Sequence, residues 1–436
     1  MRHLVATLRR GPVWIVVTLA FGLLTAPLLA DTQQLVTSGT TGIRTPGSRP
    51  SATPWFDVFF QECRERRWVE GQNVTMMHRF ANEHDERLPT LVAERIRLQD
   101  RNKRVAAFHT GPEALAATPG AERQATKPRV VAAYPLWKAA QVPPRTLPWH
   151  LLDQVTLAFL VPGRDGRLPD MHATTAKTLL AQARRHGVST AIAIGGATGS
   201  QAFYALLFDP AARARFVTEL DQVLATYAFD GVVLDMEYWP RPDVQDAAGG
   251  AAYLSLIQEV SARMQVRGGF VSVAVFGSAW FGKHYPAELV DVVDAFEIMA
   301  YDFSGSWSPA PGPHASYEQA RSALTYWRGR VGKQRMRKAY LGIPFYGKCF
   351  PHSFTPGDPV QNLAYREILS RFPQAAASDT RRGDSCTVYY DGHATLQQKA
   401  ALVKAYGLGG VSVWEITMDA PRGPERLLPA LTSALR

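Results

Sequence analysis

The chain has 436 residues, a formal net charge of +10 and a hydrophobic content of 46%. This length exceeds one average domain and suits a large barrel with an extension. The basic residues are scattered, and the sequence holds no basic repeat, zinc-ligand spacing or aromatic RNA-binding motif. We therefore predict a solvated basic surface, no nucleic-acid partner, and no metal or other cofactor. A polyanionic cell-wall partner would also suit the charge.

The first thirty residues have the design of an export signal. Arg2, Arg9 and Arg10 precede an apolar stretch, and the small residue Ala30 stands before Asp31, as signal cleavage requires. We predict a signal peptide over residues 1–30 and a secreted or periplasmic protein without stable membrane insertion. The alternative is an uncleaved anchor, because the apolar stretch is just long enough to span a bilayer.

Export makes the three cysteines informative. Cys349 and Cys386 lie in the same late region and can form a disulfide in an oxidising compartment. Cys63 is then left over, far upstream. Two free buried thiols are the alternative.

Residues 31–128 divide into a linker and an appendage. Residues 31–53 are rich in Ser, Thr, Gly and Pro, which is typical of a flexible linker. Residues 54–128 form a small α/β-like appendage, with helices predicted at 56–67 and 85–98 and extended segments at 73–79 and 104–109. Within residues 56–125, Trp68-Val-Glu-Gly-Gln-Asn73 resembles the opening of an ABC-transporter substrate-binding protein family. A fragment this short cannot enclose a ligand between two lobes, so we assign it no transport function.

From residue 129 onward the chain repeats one theme, an apolar run followed by a helix-like segment. The runs lie at 130–134, 155–161, 190–194, 231–238, 270–276, 295–301, 339–345 and 410–414. Asp209-Pro210 is a good helix start, with Asp as the cap and Pro in the first turn. No GxGxxG follows a run, which disfavours a doubly wound open sheet. The alternation predicts a (β/α)₈ TIM barrel over residues 129–436.

The run at 231–238 carries two carboxylates on one face of a predicted buried strand. Asp235 and Glu237 are two residues apart and share that face with Val233. An unpaired buried charge costs several kcal/mol, so the pair needs a reason. Chemistry in a parallel barrel occurs at the carboxyl ends of its strands. The alternative is a structural carboxylate pair that caps the strand.

Asp230-Gly-Val-Val-Leu-Asp-Met-Glu237 resembles the DxxDxDxE signature of glycoside hydrolase family 18, the chitinases and their relatives. Further segments resemble the family's other strand motifs in the family's order. They are Ala133-Tyr-Pro-Leu-Trp137, Ala193-Ile-Gly-Gly196, Met299-Ala-Tyr-Asp302 with Gly305-Ser-Trp307, Gly342-Ile-Pro-Phe-Tyr-Gly347 and Gly409-Gly-Val-Ser-Val-Trp414. The resemblance covers residues 129–436.

The resemblance implies hydrolysis of β-1,4-linked N-acetylglucosamine glycans such as chitin, chito-oligosaccharides or related cell-wall glycans. Catalysis in this family is retaining and substrate-assisted. Glu237 would protonate the leaving oxygen, Asp235 would orient the acetamido group and stabilise the positive charge, and Tyr301 would donate a hydrogen bond to the acetamido oxygen. The implied substrate contacts are Tyr134, Met299, Asp302, Trp307, Tyr346 and Trp414. The implied structural positions of the motifs are Asp230, Gly231, Gly195 and Gly196.

The sequence departs from the family pattern at the middle aspartate, which is Val233, and at the serine of the third strand, which is Ala193. In the family these two groups hydrogen-bond in the barrel interior, and the middle aspartate shares a proton with the position of Asp235. Losing both gives a consistent apolar pair, which indicates a coordinated change. Met236 replaces a common tryptophan, and Glu297 lies on the inward face of the sixth strand with no partner identified from sequence.

Two functions follow. The first is a hydrolase acting as a monomer on a carbohydrate polymer or oligosaccharide. The second is a non-catalytic or weakly active chitinase-like protein that binds carbohydrate. The segment between residues 346 and 408 is short for the α+β insertion that deepens the cleft in some relatives, so we expect a more open groove.

Overall fold

The computed structural model describes residues 127–171 and 173–436, together with four strands within residues 1–126. The chain divides into two compact units, Met1–Asp100 and Arg101–Arg436. In the first unit, the strands Leu4–Arg9, Trp14–Leu19, Gly39–Thr45 and Val74–Phe80 form one sheet in chain order. The first two pairings are antiparallel and the last is parallel.

These four strands lie in the segments that the sequence predicts to be a signal peptide, a linker and an appendage. The segment predicted as extended at 73–79 coincides with the strand Val74–Phe80. Two of the other strands lie within the predicted signal peptide and one within the predicted linker. The predicted helices at 56–67 and 85–98, the segment at 104–109, the transporter-like stretch and Cys63 lie outside the described residues. The signal peptide, the linker and the appendage stay predictions.

The second unit contains a closed barrel of eight parallel strands. In chain order they are β1 Arg129–Pro135, β2 Gln154–Leu160, β3 Ser189–Gly195, β4 Gly231–Asp235, β5 Phe270–Phe276, β6 Ala295–Met299, β7 Ala339–Pro344 and β8 Gly410–Trp414. Each strand pairs with its neighbours in sequence, and β8 pairs with β1. The predicted (β/α)₈ barrel is confirmed, and every predicted strand is present.

The strands are apolar along their length because both faces are covered. Outward-facing side chains such as Val232 and Leu234 are fully buried in the large core between the strands and the surrounding helices. Inward-facing side chains are smaller, and Ala191, Ala193 and Val233 belong to a separate apolar cluster. This second cluster fills one side of the barrel interior.

Helices cover the outside of the barrel. They are α1 Ala173–Arg185, α2 Ser200–Leu206, α3 Pro210–Tyr227, α4 Ala247–Arg267, α5 Ala279–Gly282, α6 Leu289–Val292, α7 Tyr317–Val331, α8 Tyr365–Arg371, α9 His393–Tyr406 and α10 Leu427–Leu435. Asp209 caps α3 as predicted, since its side chain accepts the N–H groups of Ala211 and Ala212. Within the described part of the chain, none of the helices has the length and apolar character needed to cross a bilayer.

A small α+β insertion lies between β7 and β8, which corrects the expectation that this segment is too short for one. Its four-stranded antiparallel sheet comprises Gln361–Ala364, Tyr346–Pro351, Cys386–Tyr389 and Thr380–Arg382, in that spatial order. Cys349 and Cys386 form a disulfide between two neighbouring strands of this sheet, with their Cα atoms 5.6 Å apart. The insertion supplies Tyr346 and Lys348 to the mouth of the barrel.

A chain that begins at Lys127 should fold without the preceding residues. The barrel closes through β8 and β1, where Gly410 pairs with Arg129 and Val411 with Val130, so no earlier segment is needed for closure. We expect one cooperative unfolding transition of the barrel by circular dichroism and calorimetry, with a Tm within about 3 °C of that in the full chain. A matched chain beginning at Leu136 lacks β1, leaves two open strand edges and should aggregate. An insoluble chain from Lys127 would contradict the prediction.

Candidate active site

The site is built around the carboxyl end of β4. The predicted strand ran to residue 238, but β4 ends at Asp235 because two interactions draw the main chain out of the sheet. The N–H of Gly196 donates to the Asp235 carbonyl oxygen at 2.9 Å. The N–H of Glu237 donates to the Ser200 hydroxyl at 2.7 Å, and that hydroxyl donates to the Gly196 carbonyl oxygen at 2.8 Å. The turn from β3 into α2 therefore fixes where Asp235 and Glu237 stand.

This turn requires the two glycines that the sequence motif placed there. Gly195 and Gly196 have φ values of 110° and 79°, which favour glycine. A Cβ atom on Gly195 would also lie 2.2 Å from the carbonyl oxygen of Asp235. The close approach of β3 to the end of β4 therefore depends on glycine.

Two buried tyrosines hold the other side of the same strand end. The hydroxyl of Tyr253 donates to the carbonyl oxygen of Leu234 at 3.1 Å, and that of Tyr285 donates to the carbonyl oxygen of Met236 at 2.8 Å. Met236 itself is fully buried in the core. Two carbonyl groups at the end of β4 thus accept hydrogen bonds from buried side chains.

Asp230 and Gly231 lie at the opposite end of β4, away from the chemistry. One carboxylate oxygen of Asp230 accepts the N–H and the hydroxyl of Thr190 at 2.8 and 2.9 Å, which ties β4 to β3. A Cβ atom on Gly231 would lie 2.3 Å from the ring of Phe270. Both residues therefore contact neighbouring strands at the end of β4 that lies away from Asp235.

Asp235 and Glu237 are carboxyls in a poorly solvated position. Burial, followed by the charges of Glu237 and Glu297, raises the pKa of Asp235 well above its ordinary value. Burial and the charge of Asp302 raise the pKa of Glu237 to about 7. Asp235 is 7% exposed, and its Oδ1 atom has no hydrogen-bond partner among the described residues. The surroundings of both carboxyls therefore favour the protonated form.

Asp302 is the opposite case and stays ionised. Its backbone is left-handed, with φ of 57°, and its Oδ1 atom accepts the Tyr346 hydroxyl at 2.8 Å and lies 2.9 Å from Lys348 Nζ. Burial alone would raise the pKa of Asp302, but hydrogen bonds from His314 and Lys348 and the positive charge of Lys348 lower it to about 2. A fixed negative charge therefore stands beside Glu237.

A cavity of about 40 Å³ opens below the mouth of the barrel and brings several predicted residues together. Asp235, Met299, Tyr301 and Trp414 line it. The ring of Trp414 stacks on that of Phe159, with centroids 5.4 Å apart. Glu297 also lines the cavity. The pocket floor therefore has one aromatic face, that of Trp414, and three polar side chains, those of Asp235, Glu297 and Tyr301.

The remaining predicted contacts lie farther out or elsewhere. Trp307 is 63% exposed, and Lys348 Nζ lies 5.6 Å from the centroid of its ring. Tyr134 is fully buried in the large core, and its hydroxyl donates to the carbonyl oxygen of Val142 at 2.7 Å. Tyr134 faces away from the barrel interior and does not line the cavity.

Sequence reasoning missed Ser200, Tyr253, Tyr285, His314 and Lys348. Each acts on a site residue that is distant in sequence, and none belongs to a motif that the sequence analysis used. The only local signal was the position of Ser200 shortly after Gly195-Gly196, where a helix start would favour serine.

Buried carboxyls at the end of a barrel strand, beside an ionised aspartate and a tryptophan floor, define a glycosidase of the barrel class. Residues 129–419 match the family described as Glycosyl hydrolases family 18. This match covers more than half of the chain, so the chain belongs to that family, and the resemblance seen in the sequence is confirmed.

Individual relatives agree with the family match. The chain is 27% identical over 292 residues to Endochitinase 1 of Metarhizium robertsii, covering 59% of this chain and 67% of that protein. It is 28% identical over 281 residues to Probable chitinase 10 of Drosophila melanogaster, covering 54% of this chain but 12% of that protein. The solved GH18 chitinase ChiB from the chitin utilization locus of Flavobacterium johnsoniae has a TM-score of 0.58 and 25% identity, covering 71% of this chain and 94% of that one.

Replacing Ser200 by alanine should weaken both stability and catalysis. The change removes the acceptor of the Glu237 N–H, and an unsatisfied buried donor costs about 1–3 kcal/mol. Because the Glu237 main chain is then free to shift, we expect kcat to fall about tenfold with little change in KM. Ser370→Ala removes an exposed serine and serves as the control in denaturation and kinetic assays. An unchanged Tm and kcat in Ser200→Ala would show that this anchor is not needed.

Proposed function

We propose that this protein hydrolyses β-1,4-linked N-acetylglucosamine glycans, namely chitin, chito-oligosaccharides or related cell-wall glycans, by retaining, substrate-assisted catalysis. The observation that carries the proposal is the contrast between Glu237, with a pKa of about 7, and Asp302, with a pKa of about 2, at the same barrel mouth. A proton donor that works near neutral pH is what cleavage of a glycosidic bond requires. The relatives named above as chitinases support the choice of substrate.

Glu237 would act first as the acid. Its carboxyl is protonated in a large fraction of molecules at neutral pH, because burial and the neighbouring Asp302 charge disfavour its anion. The proton goes to the oxygen of the leaving sugar, and Glu237 becomes a carboxylate. In the second half of the reaction the same carboxylate takes a proton from water.

The nucleophile would be the acetamido oxygen of the substrate. Attack within one sugar ring is favoured because the reacting atoms are already held together. Asp235 stands one pleat deeper than Glu237 and would stabilise the positive charge on the cyclic intermediate. Burial and the charge of Asp235 raise the pKa of Tyr301 well above its ordinary value, so its hydroxyl keeps the proton that it donates to the acetamido oxygen.

Aromatic rings would hold the sugar rings. Trp137, Phe159 and Trp414 form a row in which neighbouring ring centroids are 6.4 and 5.4 Å apart. Trp137 is 58% exposed, and Trp414 reaches the cavity at the barrel mouth. Flat aromatic faces suit the apolar C–H faces of pyranose rings. The same row also suits a carbohydrate-binding protein that does not hydrolyse its ligand, which is the second candidate.

Location outside the cytoplasm would place the protein beside such glycans. The predicted signal peptide at residues 1–30 indicates export. The disulfide between Cys349 and Cys386 supports an oxidising compartment.

Replacing Glu237 by glutamine separates the two candidates. The variant keeps the shape of the side chain but cannot donate the proton, so we expect loss of hydrolysis by at least about 100-fold. Binding of chito-oligosaccharides should stay within about tenfold of wild type, because shape and aromatic contacts are kept. Hydrolysis is followed on oligosaccharides of defined length, and NMR of the products should show retention of the anomeric configuration.

Glu288→Gln is the matched control, because Glu288 is exposed and directly precedes α6. Glu237→Gln with wild-type turnover would disprove the acid assignment. A wild-type protein that binds these oligosaccharides and leaves them intact would favour the binding protein.

The pH dependence follows from the sign of the Glu237 shift. Raising the pH through about 7 removes the proton that Glu237 must donate, so kcat/KM should fall on the alkaline side of that value. Neutralising Asp302 as Asp302→Asn removes a nearby negative charge and should move this limb to lower pH. The measurement is the pH profile of kcat/KM on a chromogenic glycoside. A limb that does not move in Asp302→Asn would contradict the electrostatic link.

A further inference from the structure

Glu297 on β6 carries a carboxyl group inside the barrel that has no role in the reaction steps proposed for Glu237, Asp235 and Tyr301. The hydroxyl of Ser272 on β5 donates to its Oε1 atom at 3.0 Å, and the hydroxyl of Ser412 on β8 donates to its Oε2 atom at 2.6 Å. Two O–H donors on one carboxyl stabilise the anion. Burial raises the pKa of Glu297, and these two hydrogen bonds from neighbouring strands oppose that rise.

Asp235 faces the same cavity as Glu297. Its Oδ1 atom is buried, and no hydrogen-bond partner for it exists among the described side chains and main chain. The cavity volume of about 40 Å³ exceeds the roughly 10–15 Å³ that one water molecule needs. The cavity that both carboxyls line therefore has room for a water molecule.

The β3 side of the interior next to Val233 is apolar. In the strand register Val233 pairs with Ala193 on β3 and with Ser272 on β5. Ala193 and Val233 belong to the apolar cluster with Ala158 and Phe270. Ser272, Glu297 and Ser412 form a hydrogen-bonded group on the β5, β6 and β8 side, and Thr156 on β2 also lines the cavity.

We propose that Glu297 is a positioning residue that acts through Asp235, the two carboxyls sharing a single proton. At rest Asp235 holds the proton and Glu297 carries the charge. As positive charge develops on the sugar, the proton leaves Asp235 Oδ1 and binds Glu297, so Asp235 becomes the anion beside the cation and the pair keeps its net charge of −1. The role that the resembling family assigns to the position of Val233 is thus moved from β4 to β6. The proposal rests on the proposed function.

Electrostatics agree with this geometry. Burial and the charges of Glu237 and Glu297 disfavour the Asp235 anion and raise its pKa. Two carboxyls that face one buried cavity cannot both ionise near neutral pH, so they titrate as a coupled pair. The other titratable groups coupled electrostatically to this pair are Glu237, Tyr253, Tyr285, Tyr301 and Tyr340.

The first test needs no catalytic activity. The full chain is labelled with ¹³C at aspartate carboxyls, and the Asp235 signal is assigned by its loss in Asp235→Asn. Glu297→Gln keeps the size of the side chain and removes the charge, so the pKa of Asp235 should fall by about one unit or more relative to wild type. Glu288→Gln should leave it unchanged. An Asp235 titration that is the same in Glu297→Gln and wild type would overturn the proposal, whether or not the protein is a hydrolase.

The second test uses the reaction. Glu297→Gln removes the proton acceptor, so kcat should fall about tenfold or more at pH 5–6, with KM within about threefold of wild type. The deficit should shrink as the pH rises, because Asp235 can then lose its proton to solvent. Glu297→Asp keeps an acceptor and should recover much of the loss. A deficit that is equal at every pH, or equal in Glu297→Asp and Glu297→Gln, would indicate a purely structural role and overturn the proposal.

A relocated carboxyl in the Glu297→Gln background gives a further check. In the variant Ala193→Ser/Val233→Asp/Glu297→Gln, the new aspartate lies on the same strand face as Asp235, with a serine donor on the paired β3 residue. We expect the kcat deficit at pH 5–6 to be at least halved relative to Glu297→Gln. Ala193→Leu/Val233→Leu/Glu297→Gln fills the site without a carboxyl and should give no recovery. Equal activities in these two variants would count against a transferable proton-sharing role.

Discussion

Withdrawal of carboxyl groups from water at the end of β4 is the constraint on which the site depends. Asp235 and Glu237 lose solvation, and burial is the leading cause of both raised pKa values. Asp302 is exposed, and Lys348 and His314 keep it ionised. Three carboxyls within one small region therefore have different protonation states, and the difference comes from which of them has a cationic partner.

The raised pKa values of Asp235 and Glu237 persist only if these carboxyls cannot move apart or reach water. The end of β4 is held by main-chain contacts on both sides, from Gly196 and Ser200 inside and from Tyr253 and Tyr285 outside. Each of these contacts uses a side chain or glycine that adds no charge of its own. The strand end is thus fixed without altering the balance between burial and Coulomb attraction that sets the carboxyl pKa values.

The sequence predicted the barrel well because its strands are buried on both faces, so each appears as a short apolar run whatever its neighbours are. It predicted Asp235, Glu237 and Trp414 through motifs that stand on single strands. It did not predict that Ser272 and Ser412 meet Glu297, because these residues come from β5, β8 and β6 and are joined only by barrel closure. The insertion after β7 was missed because its strands are short and carry polar residues on their exposed positions.

Tyr134 illustrates the limit of motif transfer along a strand. Side chains alternate between the two faces of β1, and Tyr134 lies on the same face as Val130 and Ala132, which pack in the outer core. The motif gives the strand, but the face is set by register with β8 and β2. A residue type that suits a sugar is therefore not enough to place it at the site.

The barrel interior shows how a polar network can change position without loss of fold. A buried carboxyl is costly when it stands alone, and a serine hydroxyl opposite an apolar side chain has no partner. Removing both from β3 and β4 leaves Ala193 and Val233 packed together, while Glu297 keeps two donors on β5 and β8. Every buried group in the layer is then either apolar or hydrogen-bonded, apart from Asp235 Oδ1. The one unsatisfied atom in this layer belongs to Asp235, the residue to which we assign a change of protonation in the proposed reaction.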